Sequence, residues 1–179
     1  MHILIGYATS EGQTRKIAEF AADHLGAKGH AVELRSLDDA GGVEPGRFDG
    51  VILAGSVHVG GYQKALTDFA RTHAAALNAE RDLFLSVSLT AAGDVAEDWE
   101  GLRRIIDRFV ADTGWTPDRI EHVAGAFRFT EYSLFQAWAM RKIAKARDPG
   151  IDTRSDTEYT DWDKLAEVLD DWAGSLAAA

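Results

Sequence analysis

The chain has 179 residues, 46% of them hydrophobic and 27% charged. That is enough to bury a core as one domain, so disordered and fibrous classes are excluded. Its 29 acidic residues against 19 Lys and Arg give a formal charge of -10, which excludes an electrostatic grip on nucleic acid and leaves any bound anion to be held locally. It has no cysteine, so disulfides, thiolate metal sites, iron–sulfur ligation and Cys nucleophiles fall away together, and any redox chemistry must be carried by a cofactor.

Positions 2–7 form a short, near-continuous apolar run, as a strand buried on both faces requires. The run ends in Thr9-Ser10-Glu11-Gly12-Gln13-Thr14, which opens into a helix whose apolar face is Ile17, Phe20, Ala21, His24 and Leu25. Positions 31–34 alternate instead, Val32 and Leu34 against Glu33, the pattern of a half-exposed edge strand. A loop at 41–46, containing Pro45, precedes a second central strand at 51–55. That strand runs into Ser56-Val57-His58-Val59-Gly60-Gly61-Tyr62 and then a helix carried by Leu66, Phe69, Ala70, His73 and Leu77. A third central strand at 83–87 ends in Ser88-Leu89-Thr90-Ala91-Ala92-Gly93. The helix that follows is carried by Leu102, Ile105, Ile106 and Phe109, and it leads to a fourth central strand at 122–126.

Positions 127–159 do not fit the strand–helix repeat, and an insertion of that size is usually functional. The last helix is predicted to start from a Thr160 cap with Asp163 three residues on, continuing through Trp162, Leu165, Ala166, Leu169, Trp172 and Leu176. No repeat, linker or composition break divides the chain, so residues 1–179 are expected to form a single domain. Alternating strand and helix predicts an α/β fold, a doubly wound sheet of five parallel strands whose ligand lies beyond the C-terminal strand ends. The N-terminus has no basic leader, and the longest run without Asp, Glu, Lys or Arg, positions 50–63, falls short of the ~20 apolar residues of a membrane span. A cytoplasmic protein is the expectation, with attachment to a membrane surface left open.

Three polar, small-residue loops at strand ends define one crevice. In the first, backbone N–H groups at a helix N-terminus and the hydroxyls of Thr9, Ser10 and Thr14 form an anion cradle, from which Glu11 is expected to point away. The loop by itself reads equally well as a Ser/Thr-rich capping turn, and its position after the first strand decides for a site. It has neither the Lys of a Walker loop nor a GxGxxG, which favours a mononucleotide phosphate over a triphosphate or dinucleotide. The second loop, with Gly60, His58 and no charge, suits a flat ring system; Tyr62 is more simply explained as the start of the following helix face. No His spacing suggests a metal and no order of residues suggests a hydrolase triad.

The first loop with the two later ones resembles a flavodoxin-type FMN site. More specifically, residues 7–18, Ser56-Val57-His58 with Gly60, Val123-Ala124-Gly125-Ala126, Arg128, Tyr159-Thr160-Asp161-Trp162, Trp115, Pro117, Asp118 and Asp152-Thr153-Arg154 resemble the menaquinone-dependent protoporphyrinogen dehydrogenases of haem biosynthesis. The resemblance spans almost the whole chain. It implies strand order 2-1-3-4-5, FMN phosphate on Thr9, Ser10, Glu11, Gly12, Gln13 and Thr14, and the isoalloxazine between two loops. One contributes Ser56, Val57, His58, Val59 and Gly60, the other Ser88, Leu89, Thr90, Ala91 and Ala92. It implies oxidation of protoporphyrinogen IX with a quinone as acceptor. Val59 stands where some members carry an aromatic residue, and Ser10 where a basic one can occur. His58 is the candidate catalytic residue, because an imidazole can donate to the flavin or to substrate near neutral pH.

Between positions 127 and 147 five basic residues face one acid, a reversal of the global sign. Leu134, Phe135, Trp138, Ala139 and Ile143 make an apolar face interrupted by Lys142. Such a helix can rest on anionic lipid or pack on the sheet edge. Arg128, Trp138, Arg141 and Lys142 are the candidates for contact with substrate propionates or membrane. The alternatives are a flavodoxin-type electron shuttle without its own substrate, suited by the acidic charge, and an FMN-dependent NAD(P)H:quinone reductase, for which no second nucleotide site is evident. Oligomeric state is not encoded in any of these patterns.

Overall fold

The computed structural model describes residues 1–79, 81–127 and 156–177. Five parallel strands form one sheet in the order β2-β1-β3-β4-β5: β1 (His2–Ala8), β2 (Ala31–Ser36), β3 (Gly50–Ser56), β4 (Asp82–Ser88) and β5 (Arg119–Ala124). Helices α1 (Gln13–Ala27), α2 (Lys64–Leu77) and α3 (Ala96–Thr113) connect them, and α4 (Trp162–Ala177) closes the described chain. A separate two-stranded antiparallel ribbon joins β6 (Ala126–Phe127) to β7 (Thr157–Glu158).

The apolar strands are central because both of their faces are covered. Ile3, Ile5, Ile52, Ala54, Leu83 and Leu85 face one layer, packing on Ile17, Ala21 and Leu25 of α1 and on Leu165, Leu169 and Trp172 of α4. Leu4, Val51, Leu53 and Phe84 face the other, against Leu66, Phe69, Ala70 and Leu77 of α2 and Phe109 of α3. Each fully buried Leu or Ile in these layers contributes about 1.5–3 kcal/mol. The layer over α2 is so close that a Cβ on Gly55 would collide with the Leu66 side chain, which leaves only glycine at that strand position.

Two sequence expectations change. The strand expected at 122–126 as a central one starts earlier, at Arg119, lies on the sheet edge and is mostly half-buried. Its alternate residues are charged: Glu121 accepts an ion pair from Lys164 at 3.1 Å and lies 3.8 Å from Arg119. The cap of α4 is Asp161 rather than Thr160. The Asp161 Oδ1 accepts the Lys164 N–H at 3.0 Å, and its carbonyl accepts the Leu165 N–H at 3.1 Å, leaving the Thr160 hydroxyl to other partners.

Register brings the loops together. Ala8 pairs with Gly55, Ser56 with Val87, and Ser88 with Ala124, so four strands end flush and their following residues emerge at one edge. No helix among the described residues is long and apolar enough to cross a membrane. Arg128, Trp138, Arg141 and Lys142 lie outside the described residues.

Candidate functional site

The first turn is built around Gly12, whose φ of 87° is comfortable only for glycine. Its N–H donates to Thr9 Oγ1 at 3.0 Å, and its carbonyl accepts the first bond of α1, from the Lys16 N–H at 3.1 Å. The N–H groups of Gln13, Thr14 and Arg15 therefore precede the helical ladder, and neither a side-chain cap nor an acidic residue occupies the first turn. Thr14 is 1% exposed, and its hydroxyl has no hydrogen-bond partner among the described residues. A buried hydroxyl without a partner beside free helix N–H groups fits a phosphate oxyanion.

Glu11 does not point away. Its carboxylate lines the crevice, with Oε1 3.8 Å from His58 Nδ1. His58, 42% exposed, is held by a tight antiparallel turn in which its N–H donates to the Gly61 carbonyl at 2.8 Å and its carbonyl accepts the Gly61 N–H at 3.2 Å. Val59 and Gly60 form the tip with φ of 48° and 79°. For a β-branched residue that is a strained conformation, and Val59 is also 94% exposed.

Gln63, which no sequence pattern singles out, lashes these two turns together. Its Nε2 donates to Ser56 Oγ at 2.6 Å and Ser10 Oγ at 3.2 Å, while its Oε1 accepts the Ser56 N–H at 3.2 Å. Being a lone residue ahead of α2, it belongs to no periodic pattern. Tyr62 is a core residue: its hydroxyl bonds Ser86 Oγ at 2.7 Å, its ring packs edge-on against Phe84 and Phe109, and burial pushes its pKa up to about 12.

The third loop is fixed by the Ala91 N–H donating to Ser88 Oγ at 3.2 Å and by Trp99 Nε1 donating to the Gly93 carbonyl at 2.9 Å. The crevice that results is lined by Thr9, Glu11, Gln13, Thr14, Ser56, Val57, His58, Ser88 and Leu89, together with Gly125 and Ala126. Ser10 is tied to its edge through Gln63, and Gly12 makes the turn between its lining residues Glu11 and Gln13. Val59 and Gly60 stand at the turn tip. Ala91 and Ala92 line a neighbouring cavity instead, with His122, Tyr159 and Lys164, and Thr90 begins the short helical turn that carries them. In that cavity burial lowers the His122 pKa, and its ring meets Trp99 edge-on at 5.1 Å.

A parallel sheet in this order, with a helix N-terminus and two small-residue loops converging at the switch point, defines a mononucleotide-binding α/β fold. The flavodoxin domain family matches residues 4–153, and the chain belongs to that family; it is an oxidoreductase of this class and its cofactor is FMN. It is 30% identical, over 93% of its length and 91% of the relative's, to protoporphyrinogen IX dehydrogenase [quinone] of Escherichia coli strain K12. It is 23% identical to the protein of the same name from Leishmania major, over 95% of this chain and 74% of that one. Among solved structures, a flavodoxin from Streptococcus pneumonia TIGR4 superposes with a TM-score of 0.57 at 17% identity, covering 99% of both chains, which shows the shared fold.

Proposed function

We propose that the protein oxidises protoporphyrinogen IX to protoporphyrin IX with FMN as cofactor and passes the electrons to a quinone. The observation that carries this reading is similarity over nearly the whole chain to proteins named for that reaction, supported by a crevice formed where strand-end loops meet the N-terminus of α1.

The residues divide the work. The N–H groups of Gln13, Thr14 and Arg15 and the hydroxyls of Thr9 and Thr14 hold the phosphate, each charge-assisted bond contributing roughly 1.5–3 kcal/mol. Ser10 is kept in place by Gln63 and borders the same turn. The loop containing Ser56, Val57, His58, Val59 and Gly60 and the start of the third loop, Ser88 and Leu89, flank the ring. FMN supplies the two-electron acceptance that no side chain of this chain can provide.

Each two-electron oxidation of the substrate removes a hydride from carbon and one proton; over the three oxidations four hydrogens leave the meso carbons and two leave the nitrogens. His58, partly exposed at the mouth and facing the Glu11 carboxylate, accepts that proton at a ring nitrogen and returns it to solvent. Arg128, Arg141 and Lys142 meet the substrate propionates or an anionic lipid surface, with Trp138 on the apolar side of that contact. In this reading the protein works at the cytoplasmic face of a membrane.

The test is anaerobic porphyrin fluorescence with FMN-loaded protein, protoporphyrinogen IX and a menaquinone analogue, corrected for autoxidation. Turnover that requires both flavin and quinone is expected. A flavin that cycles between redox states while the porphyrinogen is left untouched would favour the second reading, an electron shuttle, for which the charge of -10 is the supporting observation. Co-sedimentation with anionic liposomes that is unaffected by charge reversal at Arg141, Lys142 and Lys145 would remove the contact of this basic segment with lipid.

A further inference from the structure

Freed from capping α4, the Thr160 hydroxyl makes two other bonds. It donates to the Ala124 carbonyl at the end of β5, at 2.7 Å, and accepts from Gln13 Nε2 at 2.9 Å. Gln13 is the first residue of α1 and is 6% exposed. Its Nε2 also donates to Glu158 Oε2 at 3.0 Å, so both amide protons are committed and the carboxamide is fixed. Glu158 belongs to β7 and is itself held by Lys16 Nζ at 2.7 Å and Trp162 Nε1 at 3.0 Å. Although burial works to raise the Glu158 pKa, hydrogen bonds from Lys16, Gln13 and Trp162 prevail and hold it below the usual carboxylate range. The next residue, Tyr159, donates its N–H to the Gly125 carbonyl at 3.0 Å. The first turn of α1 is thus fastened both to the end of β5 and to the β6–β7 ribbon.

We propose that Thr160 is a positioning residue for the cofactor phosphate: by fixing Gln13 it holds the first turn of α1 in its anion-binding form, and it couples phosphate occupancy to pairing of the β6–β7 ribbon. The inference rests on the phosphate placement given above. Free N–H groups grip an oxyanion only while they converge, and a first helical turn frays unless something outside the helix holds it. Thr160, 9% exposed, does so with a neutral hydroxyl. Its removal leaves the Gln13 amide proton and the Ala124 carbonyl short of a partner without changing any charge near the phosphate. The effect of Thr160 on affinity is therefore one of preorganisation rather than Coulomb attraction. Because coupling is reciprocal, phosphate must in turn steady the ribbon.

The test compares dissociation constants of full-length protein for FMN and for riboflavin, which lacks the phosphate, by flavin fluorescence. Thr160→Val is expected to weaken FMN about tenfold and leave riboflavin unchanged, and Thr160→Ser, which keeps the hydroxyl, to restore FMN affinity. Inorganic phosphate is expected to slow hydrogen exchange at the Tyr159 N–H in the wild type and not in Thr160→Val. Equal losses for FMN and riboflavin, or no loss for FMN, would overturn the proposal. Thr14→Val separates the two layers of inference. If it lowers the FMN preference and Thr160→Val does not, only the role of Thr160 fails. If it leaves the preference intact, the phosphate placement fails and this proposal with it.

Discussion

Val59 concentrates strain and exposure in one residue. A left-handed conformation costs an L side chain roughly 1–2 kcal/mol, and glycine in its place returns roughly 0.5–1 kcal/mol of that as unfolded-state entropy. Val59→Gly is therefore expected to stabilise the protein without flavin by about 0.5–1 kcal/mol, measured by urea unfolding. If the strain serves ligand contact, the same variant binds FMN more weakly despite its greater stability. A loss of stability would show that the Val59 side chain has a folding role its 94% exposure does not suggest. His58, one residue earlier, is exposed enough to exchange protons with solvent. Its replacement by Ala is expected to slow porphyrinogen turnover by ten- to a hundredfold, within the range of acid–base groups, while leaving the flavin absorption spectrum in place. Unchanged turnover would remove its proton-handling role.

At the scale of elements, the two ends of the sheet behave differently. At the N-terminal end, the buried Asp82 that opens β4 accepts from Trp115 Nε1 at 2.5 Å and from the Asp118 N–H at 2.7 Å, pinning the α3–β5 connection. Burial outweighs both hydrogen bonds and pushes the Asp82 pKa up to about 6. The folded state then binds this proton more tightly than the unfolded chain, whose Asp titrates near 3.9. The contribution of Asp82 is fully present below about pH 4 and is lost as pH rises through about 6. Urea unfolding of wild type and Asp82→Asn from pH 4 to 7 is expected to show wild type losing stability relative to the variant as pH rises; a constant difference would contradict the raised pKa. For α4, Asp161→Ala is expected to cost about 1 kcal/mol. The helix itself was legible from Leu165, Leu169 and Trp172, but its cap was not, because Thr160 and Asp161 are both capping types and the spacing of Thr160 to Asp163 imitates a capping box, while the tertiary partners that claim the Thr160 hydroxyl leave no local pattern. The same limit explains Gln63 and Glu158. Periodicity reports which face is buried, whereas a polar side chain bridging loops far apart in sequence leaves no local pattern. The three strand-end loops were legible because small and hydroxyl-bearing residues break the apolar runs abruptly, yet which of them meet had to come from register, and the short helical turn at Thr90–Ala92 carries Ala91 and Ala92 into the adjacent cavity.

For the whole molecule, charge distinguishes the two functional readings. The chain carries -10 overall, whereas positions 127–147 hold five basic residues and one acid, so an anionic substrate is repelled by the body and drawn to that segment. At about 0.1 M salt the screening length is about 10 Å, so each effect can be tuned without touching the fold. If the basic segment meets the propionates of the substrate, turnover at subsaturating porphyrinogen falls a few-fold as salt rises from about 0.05 to 0.5 M. Charge reversal at Arg141, Lys142 and Lys145 then inverts the trend, because only repulsion remains to be screened. If the protein is instead a shuttle docking through its acidic surface, electron transfer to a basic redox protein falls steeply with salt and is indifferent to those three residues. Stopped-flow rates across that range for both reactions, in wild type and the triple variant, therefore assign each charged region its partner: a salt trend in porphyrinogen turnover that survives the reversal unaltered would separate the basic segment from the substrate.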